Sequence, residues 1–184
     1  MDTIKVGVLC GSLRKASFSK RVAVNVMEML PEWMDAELMD ISPLPLFNQD
    51  LDEEVPLAAY QDFREEAKAM QAFLFVTPEY NRSVPAVLKN ALDIGSRPMA
   101  ESVWSGKPVG IISVSPGALG GFGANHHLRQ SLAFLNVYTM QQPECYLGNV
   151  AASIDENGLI ATASAKDFLE KYAEAFTAWV KRFV

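Results

Sequence analysis

The sequence predicts a doubly wound α/β fold, a parallel sheet with helices on both faces. Three observations carry that prediction. Short apolar runs alternate with helical patterns from the first residues to the last. Two of the runs, AFLFVT at 72–77 and VGIISV at 109–114, lack the in–out alternation of a half-solvated strand and read as strands covered on both faces. The best-marked runs end in loops rich in Gly, Ser or Pro, with a helix behind each, as the βα units of an open sheet require.

Taken in order, residues 4–9 form the first predicted strand, with Val6, Val8 and Leu9 supplying bulk. A helix over 19–30 follows, its stripe made by Val22, Val26 and Met29 and its stop marked by Pro31. AELMDI at 36–41 is a second strand. Pro43, Pro45 and Pro56 make the next stretch a loop, and a helix over 57–71 carries Phe63, Ala67 and Met70 on its apolar side. The strand at 72–77 ends at Pro78. A third helix begins near Val84, with Pro85 where a missing N–H costs nothing. The strand at 109–114, a helix over 125–135, a brief strand at 137–140 and a closing helix over 165–183 complete the pattern. One domain, 1–184, accommodates all of it.

The chain has 184 residues, 49% of them hydrophobic, enough for one well-buried core. Its 22 acidic and 16 basic residues give a formal charge of -6, which disfavours nonspecific nucleic-acid binding. A local Arg or Lys can still hold a small anion. Cys10 and Cys145 are too few for a disulfide framework, and no metal-ligand spacing surrounds them. The opening MDTIKVGVLC lacks the basic and long apolar regions of a secretion signal, and no window is apolar enough to span a membrane. A cytoplasmic protein without nucleic-acid or membrane partners is the expectation.

Three loops follow strands, and the carboxyl ends of such strands carry the binding crevice of an open α/β sheet. In GSLRKASFSK, 11–20, Gly11 permits a sharp turn, and Ser12, Ser17 and Ser19 offer hydroxyls. Arg14 offers a planar fork of donors, and the next helix presents free N–H groups. An isolated serine here reads as a helix cap with Arg14 solvated; the whole loop reads as a phosphate cradle. Neither G-x-x-x-x-G-K-[ST] nor G-x-G-x-x-G is present, which argues against a Walker-type nucleotide site and a Rossmann dinucleotide site.

In PEYNRSVP, 78–85, two prolines bracket polar and aromatic residues and predict a rigid, shaped surface. Tyr80 is suited to cover an aromatic ligand face or to form a subunit contact, and Asn81 to bond polar ring edges. Glu79 is open to three roles: ligand contact, salt-bridge partner or proton-transfer group. In SVSPGALGGFGANHH, 113–127, the glycines permit close backbone approach to a ring system, unless the loop is simply mobile. His126 and His127 are adjacent on a helix, point in different directions and complete no metal shell, so they read as helix or interface residues.

Together, GSLRKASFSK, TPEYNRSVPAVLKNALDIGSRP and SVSPGALGG with HHLRQ closely resemble the NAD(P)H-dependent FMN reductase family, nearest its bacterial quinone and chromate reductases. The resemblance runs from Ile4 to about Pro143 and thins over the closing helix. It implies a flavodoxin-like fold of five parallel strands in the order 2-1-3-4-5, with FMN bound noncovalently. It places the FMN phosphate against Ser12, Arg14, Ser17 and Ser19, with Leu13, Phe18 and Lys20 nearby. Pro78, Glu79, Tyr80 and Asn81 are then expected along the isoalloxazine, approached by Ser115 and Gly117. Relatives commonly carry Asn where Ser19 stands; serine keeps a hydroxyl but has shorter reach and no amide NH2.

The resemblance further implies an electron donor, NADH or NADPH, and a small-molecule acceptor in ping-pong order. Quinone is the leading acceptor, with chromate, azo or nitroaromatic compounds as others. No metal is expected and no side chain is assigned a catalytic role, because the chemistry belongs to the flavin. A homodimer or homotetramer is expected, with 81–98 contributing to the interface. The competing reading is a flavodoxin-like electron carrier without nicotinamide turnover of its own, to which an acidic surface is suited.

Overall fold

The computed structural model describes residues 3–184. The strands β1 (Ile4–Cys10), β2 (Met34–Leu38), β3 (Ala72–Pro78) and β4 (Pro108–Val114) alternate with helices α1 (Phe18–Glu28), α2 (Ala58–Ala69) and α3 (Ala86–Gly95). Helix α4 (Phe122–Phe134) leads to β5 (Tyr138–Thr139) and β6 (Cys145–Leu147), then to the single-turn helix α5 (Val150–Ser153) and the long helix α6 (Ala163–Val180). The strand order is β2-β1-β3-β4-β5, and every pairing is parallel. This is the flavodoxin-like order expected from the resemblance.

The fifth position of the sheet is shared. β5 lies beside Pro108 and Val109, whereas β6 lies beside Ile112–Val114. Residues 140–144 detour between them, and Pro143, which has no N–H to give a ladder, lies in the detour. The sequence predicts only the first half, at 137–140. β2 also starts earlier than the expected 36–41, because Ile4 pairs with Met34 and its N–H reaches the Trp33 carbonyl at 2.9 Å.

β3 shows why a non-alternating run can be a strand. Leu74 and Val76 enter the layer beneath α1 and α6, with Val22, Val26, Leu169 and Phe176. Phe73 and Phe75 enter the opposite layer beneath α2, α3 and α4, with Phe63, Leu88 and Leu128. Both layers bury their side chains almost fully, so each apolar residue of the strand contributes its transfer free energy, roughly 1.5–3 kcal/mol for a Val, Leu or Phe. Trp104 is fully buried against Phe73, with ring centroids 4.8 Å apart, and its indole N–H donates to the Leu92 carbonyl at 3.0 Å.

The proline-rich stretch after β2 lacks strands and long helices but is firmly tied. Arg64 on α2 makes a two-pronged pair with Asp52 at 2.7 and 2.6 Å, and its Nε donates to the Ile94 carbonyl at 2.9 Å. Asn90 on α3 accepts from the Phe47 N–H at 2.7 Å and donates to the Pro45 carbonyl at 2.9 Å. Tyr60 donates to the Leu46 carbonyl at 2.8 Å. The bonds from Asn90 and Tyr60 satisfy backbone groups of this stretch that would otherwise be left without a ladder.

Candidate functional site

The loops after β1, β3 and β4 converge on one cavity of about 140 Å³ at the carboxyl edge of the sheet. The first loop supplies Ser12, Arg14, Ser17, Phe18 and Ser19 to its wall, the second supplies Pro78, Glu79 and Tyr80, and the third supplies Ser115 and Pro116.

The first loop caps α1 and gathers hydroxyls at its N-terminus. Ser17 adopts an extended conformation, and its hydroxyl accepts from the Lys20 N–H at 3.2 Å, so the helix-cap reading holds. The same hydroxyl lies 2.9 Å from that of Ser19. The amides of Phe18 and Ser19 fall in the first helical turn, where an intrahelical acceptor is missing and the helix dipole favours an anion. Gly11 lets the loop leave β1 against the second loop: an added Cβ would lie 2.9 Å from Thr77 Oγ1 and 3.0 Å from Pro78 Cδ.

The second loop is a tight hairpin. Tyr80 and Ser83 exchange backbone hydrogen bonds at 3.1 and 3.0 Å, and Asn81 and Arg82 occupy the turn with φ of 51° and 65°. Two consecutive positive φ values match a type I′ turn, which suits Asn at the first position. Tyr80 is 45% exposed, and its hydroxyl donates to Ser12 Oγ at 3.3 Å, tying the second loop to the first. Both oxygens of Glu79 are engaged: one accepts from the Ala124 N–H at 3.1 Å and the other pairs with Arg82 at 3.2 Å. Of the three roles open to Glu79, the salt bridge is present, together with a cap for α4.

The third loop is pinned. Ser115 donates its N–H to the Leu147 carbonyl at 3.0 Å, and its own carbonyl accepts from the Val150 N–H at 3.1 Å. The Gly117 carbonyl accepts from the Asn149 N–H at 3.1 Å, and Gly148 passes so close to the Ala118 carbonyl that a side chain there would collide with it. Gly120 and Gly121 adopt φ of 59° and 76°, which glycine tolerates without strain. Beneath this loop Asn125, fully buried, donates to Ser113 Oγ at 3.3 Å and accepts from Arg129 Nε at 2.9 Å.

The remaining expected residues lie just outside the cavity. Leu13 and Lys20 line an adjoining groove, Asn81 is at the hairpin tip, and the Gly117 N–H donates to Ser115 Oγ at 3.0 Å. His126 lies 3.0 Å from the Tyr146 hydroxyl and His127 lies 3.0 Å from Ser83 Oγ, so the two rings serve different contacts. Sequence reasoning missed Val114 and Val150, which complete the wall. Val150 follows Gly148 and Asn149, the latter at φ 50°, and that Gly-Asn pair is the one local signal of a turn.

A parallel sheet with this order, with loops carrying Ser and Arg side chains converging at its carboxyl edge, defines an open α/β protein whose crevice lies at that edge. The comparisons with known proteins specify the ligand chemistry. The sequence pattern of the NADPH-dependent FMN reductases matches residues 4–152. A quinone reductase of Pseudomonas putida is 49% identical over 176 residues, covering 96% of this chain and 94% of that protein. A 2-hydroxy-1,4-benzoquinone reductase of a Burkholderia species is 42% identical over 178 residues, covering 97% of each. Among solved structures, the flavoenzyme NAD(P)H:(acceptor) oxidoreductase FerB of Paracoccus denitrificans superposes with a TM-score of 0.91 at 30% identity, over 98% of this chain and 99% of that one. The chain therefore belongs to the NADPH-dependent FMN reductase family. It is an oxidoreductase that uses FMN and a nicotinamide donor.

Proposed function

We propose that this protein is a quinone reductase that carries electrons from NAD(P)H to a small quinone through FMN held among its three loops. The single observation that carries the reading is the shared cavity, with the phosphate-type donor set of the first loop at one side and the Tyr80 loop at the other. The name of the Pseudomonas putida relative supports quinone as the acceptor class. Chromate, azo and nitroaromatic compounds are secondary candidates for the same open cleft.

The residues present fit FMN. Ser12, Ser17 and Ser19 offer hydroxyls, Arg14 two parallel N–H bonds, and the first turn of α1 its amides, a set suited to a phosphomonoester. Leu13, Phe18 and Lys20 flank that position. Pro78, Glu79, Tyr80 and Asn81 border the isoalloxazine in this reading, with Ser115 and Gly117 facing them from the third loop. Bound FMN supplies hydride acceptance from the nicotinamide and electron delivery to the quinone. The protein's part is to hold the ring through the hairpin that Tyr80 anchors to Ser12, and to keep one face open for donor and acceptor in turn, which gives ping-pong kinetics. Both Glu79 oxygens being engaged, it serves the shape of the site rather than proton transfer.

A homodimer or homotetramer involving 81–98 belongs to the same proposal, as does a cytoplasmic setting for one FMN-binding domain over 1–184. Among the described residues no helix is long and apolar enough to cross a membrane. Exposed Met99 and Phe134, which border a common depression beside α3, support a subunit contact there. Sedimentation velocity of the FMN-loaded protein measures its oligomeric state.

The functional test is anaerobic. The protein is saturated with FMN, freed of excess, and given NADH or NADPH and then benzoquinone while the visible flavin band is followed. Bleaching by a nicotinamide and recovery with quinone is the expected result. Retained FMN that neither nicotinamide bleaches on the turnover timescale sinks the reductase reading and supports an electron carrier.

A further inference from the structure

The hairpin that carries Tyr80 lies against the start of α4, and its two limbs are fastened there by different means. Glu79 on the incoming limb accepts from the Ala124 N–H at 3.1 Å. The Arg82 carbonyl passes so near Gly123 that an added Cβ would lie 2.9 Å from it. Ser83 on the outgoing limb places its Oγ 3.0 Å from His127 Nδ1. Gly123 and His127, at i and i+4 of α4, stand one above the other on the same helix face. We propose that His127 is a positioning residue for flavin reduction: through Ser83 it sets where the Tyr80 hairpin holds the ring. The inference rests on the FMN reductase reading, in which Tyr80 borders the isoalloxazine, and adds to it a residue outside the cavity.

Among the described residues Ser83 is the one hydrogen-bond partner of the His127 imidazole. The residue is exposed and borders a concavity of about 210 Å³ that it shares with Ser83, Lys89 and Gln130. Lys89, the one permanently charged group lining that space, is paired with Asp93 at 2.7 Å, which leaves the hairpin as what the ring holds.

A displacement of Ser83 is passed on to Tyr80. The Ser83 N–H donates to the Tyr80 carbonyl at 3.0 Å, and the Ser83 carbonyl accepts from the Tyr80 N–H at 3.1 Å. With the tight turn at Asn81 and Arg82 between them, the hairpin moves as one piece. Hydride transfer needs its reacting atoms in near contact, so a small shift of the ring is felt in the rate. An exposed hydrogen bond adds little to global stability, so its loss is read in the rate rather than in melting.

The test uses the FMN-loaded protein and two readouts, anaerobic bleaching by saturating NADH or NADPH and FMN release followed by fluorescence. His127→Ala is expected to slow the limiting bleaching rate about fivefold, the scale of one neutral hydrogen bond, and to quicken FMN release several-fold. Tm should stay within about 2 °C of wild type. His127→Asn places an amide where Nδ1 stands and should restore most of both values, whereas His127→Gln, whose amide stands near Nε2, should not. Helix propensity alone ranks these two the other way, since Gln is the better helix former. Ser83→Ala should match His127→Ala, and the double variant should be no worse than either. Wild-type behaviour of His127→Ala, equal rates in the Asn and Gln variants, or a double variant that multiplies the single losses overturns the proposal. A changed sedimentation coefficient of His127→Ala also overturns it, because the ring would then serve a subunit contact. If wild-type protein retains FMN that neither nicotinamide bleaches, the reductase reading falls by itself. FMN release then decides on the clamp: faster release from His127→Ala, restored in His127→Asn, sustains it, and unaltered release overturns it.

Discussion

The carboxylate of Glu79, on the loop after β3, accepts a hydrogen bond from the backbone N–H of Ala124 in the first turn of α4, at 3.1 Å. The helix has no cap of its own, because its N-cap residue is Gly121 and no side-chain bond is made there. A remote acidic residue thus performs the task that Ser, Thr, Asp or Asn usually performs locally, with the helix dipole favouring its charge. Gly123 makes the approach possible, since a Cβ there would lie 2.9 Å from both Glu79 Oε2 and the Arg82 carbonyl.

Glu79→Ala should therefore cost about 1 kcal/mol, a typical cap loss, and lower Tm by about 2–4 °C for a chain of this size. Glu79→Gln keeps an acceptor oxygen and should recover most of that loss. FMN should dissociate several-fold faster from the alanine variant, because the hairpin carrying Tyr80 loses its tie to α4. Calorimetric melting with a flavin-release assay checks both effects. Equal melting of the two variants would mean that the acceptor contributes nothing.

Gly11→Ala should damage the site more than the fold. The new methyl meets Thr77 Oγ1 at 2.9 Å and Pro78 Cδ at 3.0 Å, and Pro78 belongs to the rigid second loop. Overpacking of this kind costs about 1–3 kcal/mol. Part of it should be relieved by pushing the first loop away from the second, which stretches the Tyr80–Ser12 contact. FMN affinity should fall by about tenfold or more, read by fluorescence titration, while far-UV circular dichroism stays like that of wild type. Unaltered FMN affinity would show that the two loops move independently.

The parts of this architecture that were legible in the sequence are those written in local chemistry. β3 and β4 announced themselves as unbroken apolar runs, and the first loop as Gly, Ser and Arg ahead of a helical stripe. Much of the remainder depends on distant partners. α4 starts at Phe122 rather than Asn125, since its cap arrives from Glu79, more than forty residues away, and its entry uses left-handed Gly120 and Gly121. β6 has only three residues and is recognisable only against Ile112–Val114. Lys20 shares a loop motif with Ser17 and Ser19, yet one residue along a helix turns a side chain by about 100°, which accounts for its lining the groove and not the cavity.

The Arg64–Asp52 pair predicts a large penalty for single changes. Its side chains are 8% and 7% exposed, and Arg64 additionally donates to the Ile94 carbonyl. Removing one partner strands a nearly buried charge, which costs about 3–5 kcal/mol. Asp52→Ala should approach that figure in urea unfolding. The double change Arg64→Met with Asp52→Leu should be much milder, because it buries apolar groups in place of two charges. If the single and double variants unfold at the same urea concentration, the pair is not coupled.

Cys10 gives a prediction with a definite pH window. The thiol is 7% exposed, and its Sγ lies 3.9 Å from the Ser19 carbonyl. Burial pushes its pKa up to about 12 from an ordinary value of 9.0, against a smaller opposing pull from Lys20. The folded protein therefore holds this proton where the unfolded chain releases it. Below the unfolded value both states are protonated and the group has no influence. From about pH 9 to 12 the unfolded state binds fewer protons, so stability falls with rising pH, by at most about 1.4 kcal/mol per pH unit from this group. Cys10→Ala removes that slope, and the difference between wild-type and variant unfolding free energies across pH 8 to 11 isolates it from other titrating groups. The same burial makes Cys10 a poor nucleophile, so a disulfide reagent at neutral pH should leave it unmodified until the protein is denatured. Rapid labelling of Cys10 in the folded protein, with FMN retained, would show that the strand end opens and that the thiol is not held in its protonated form.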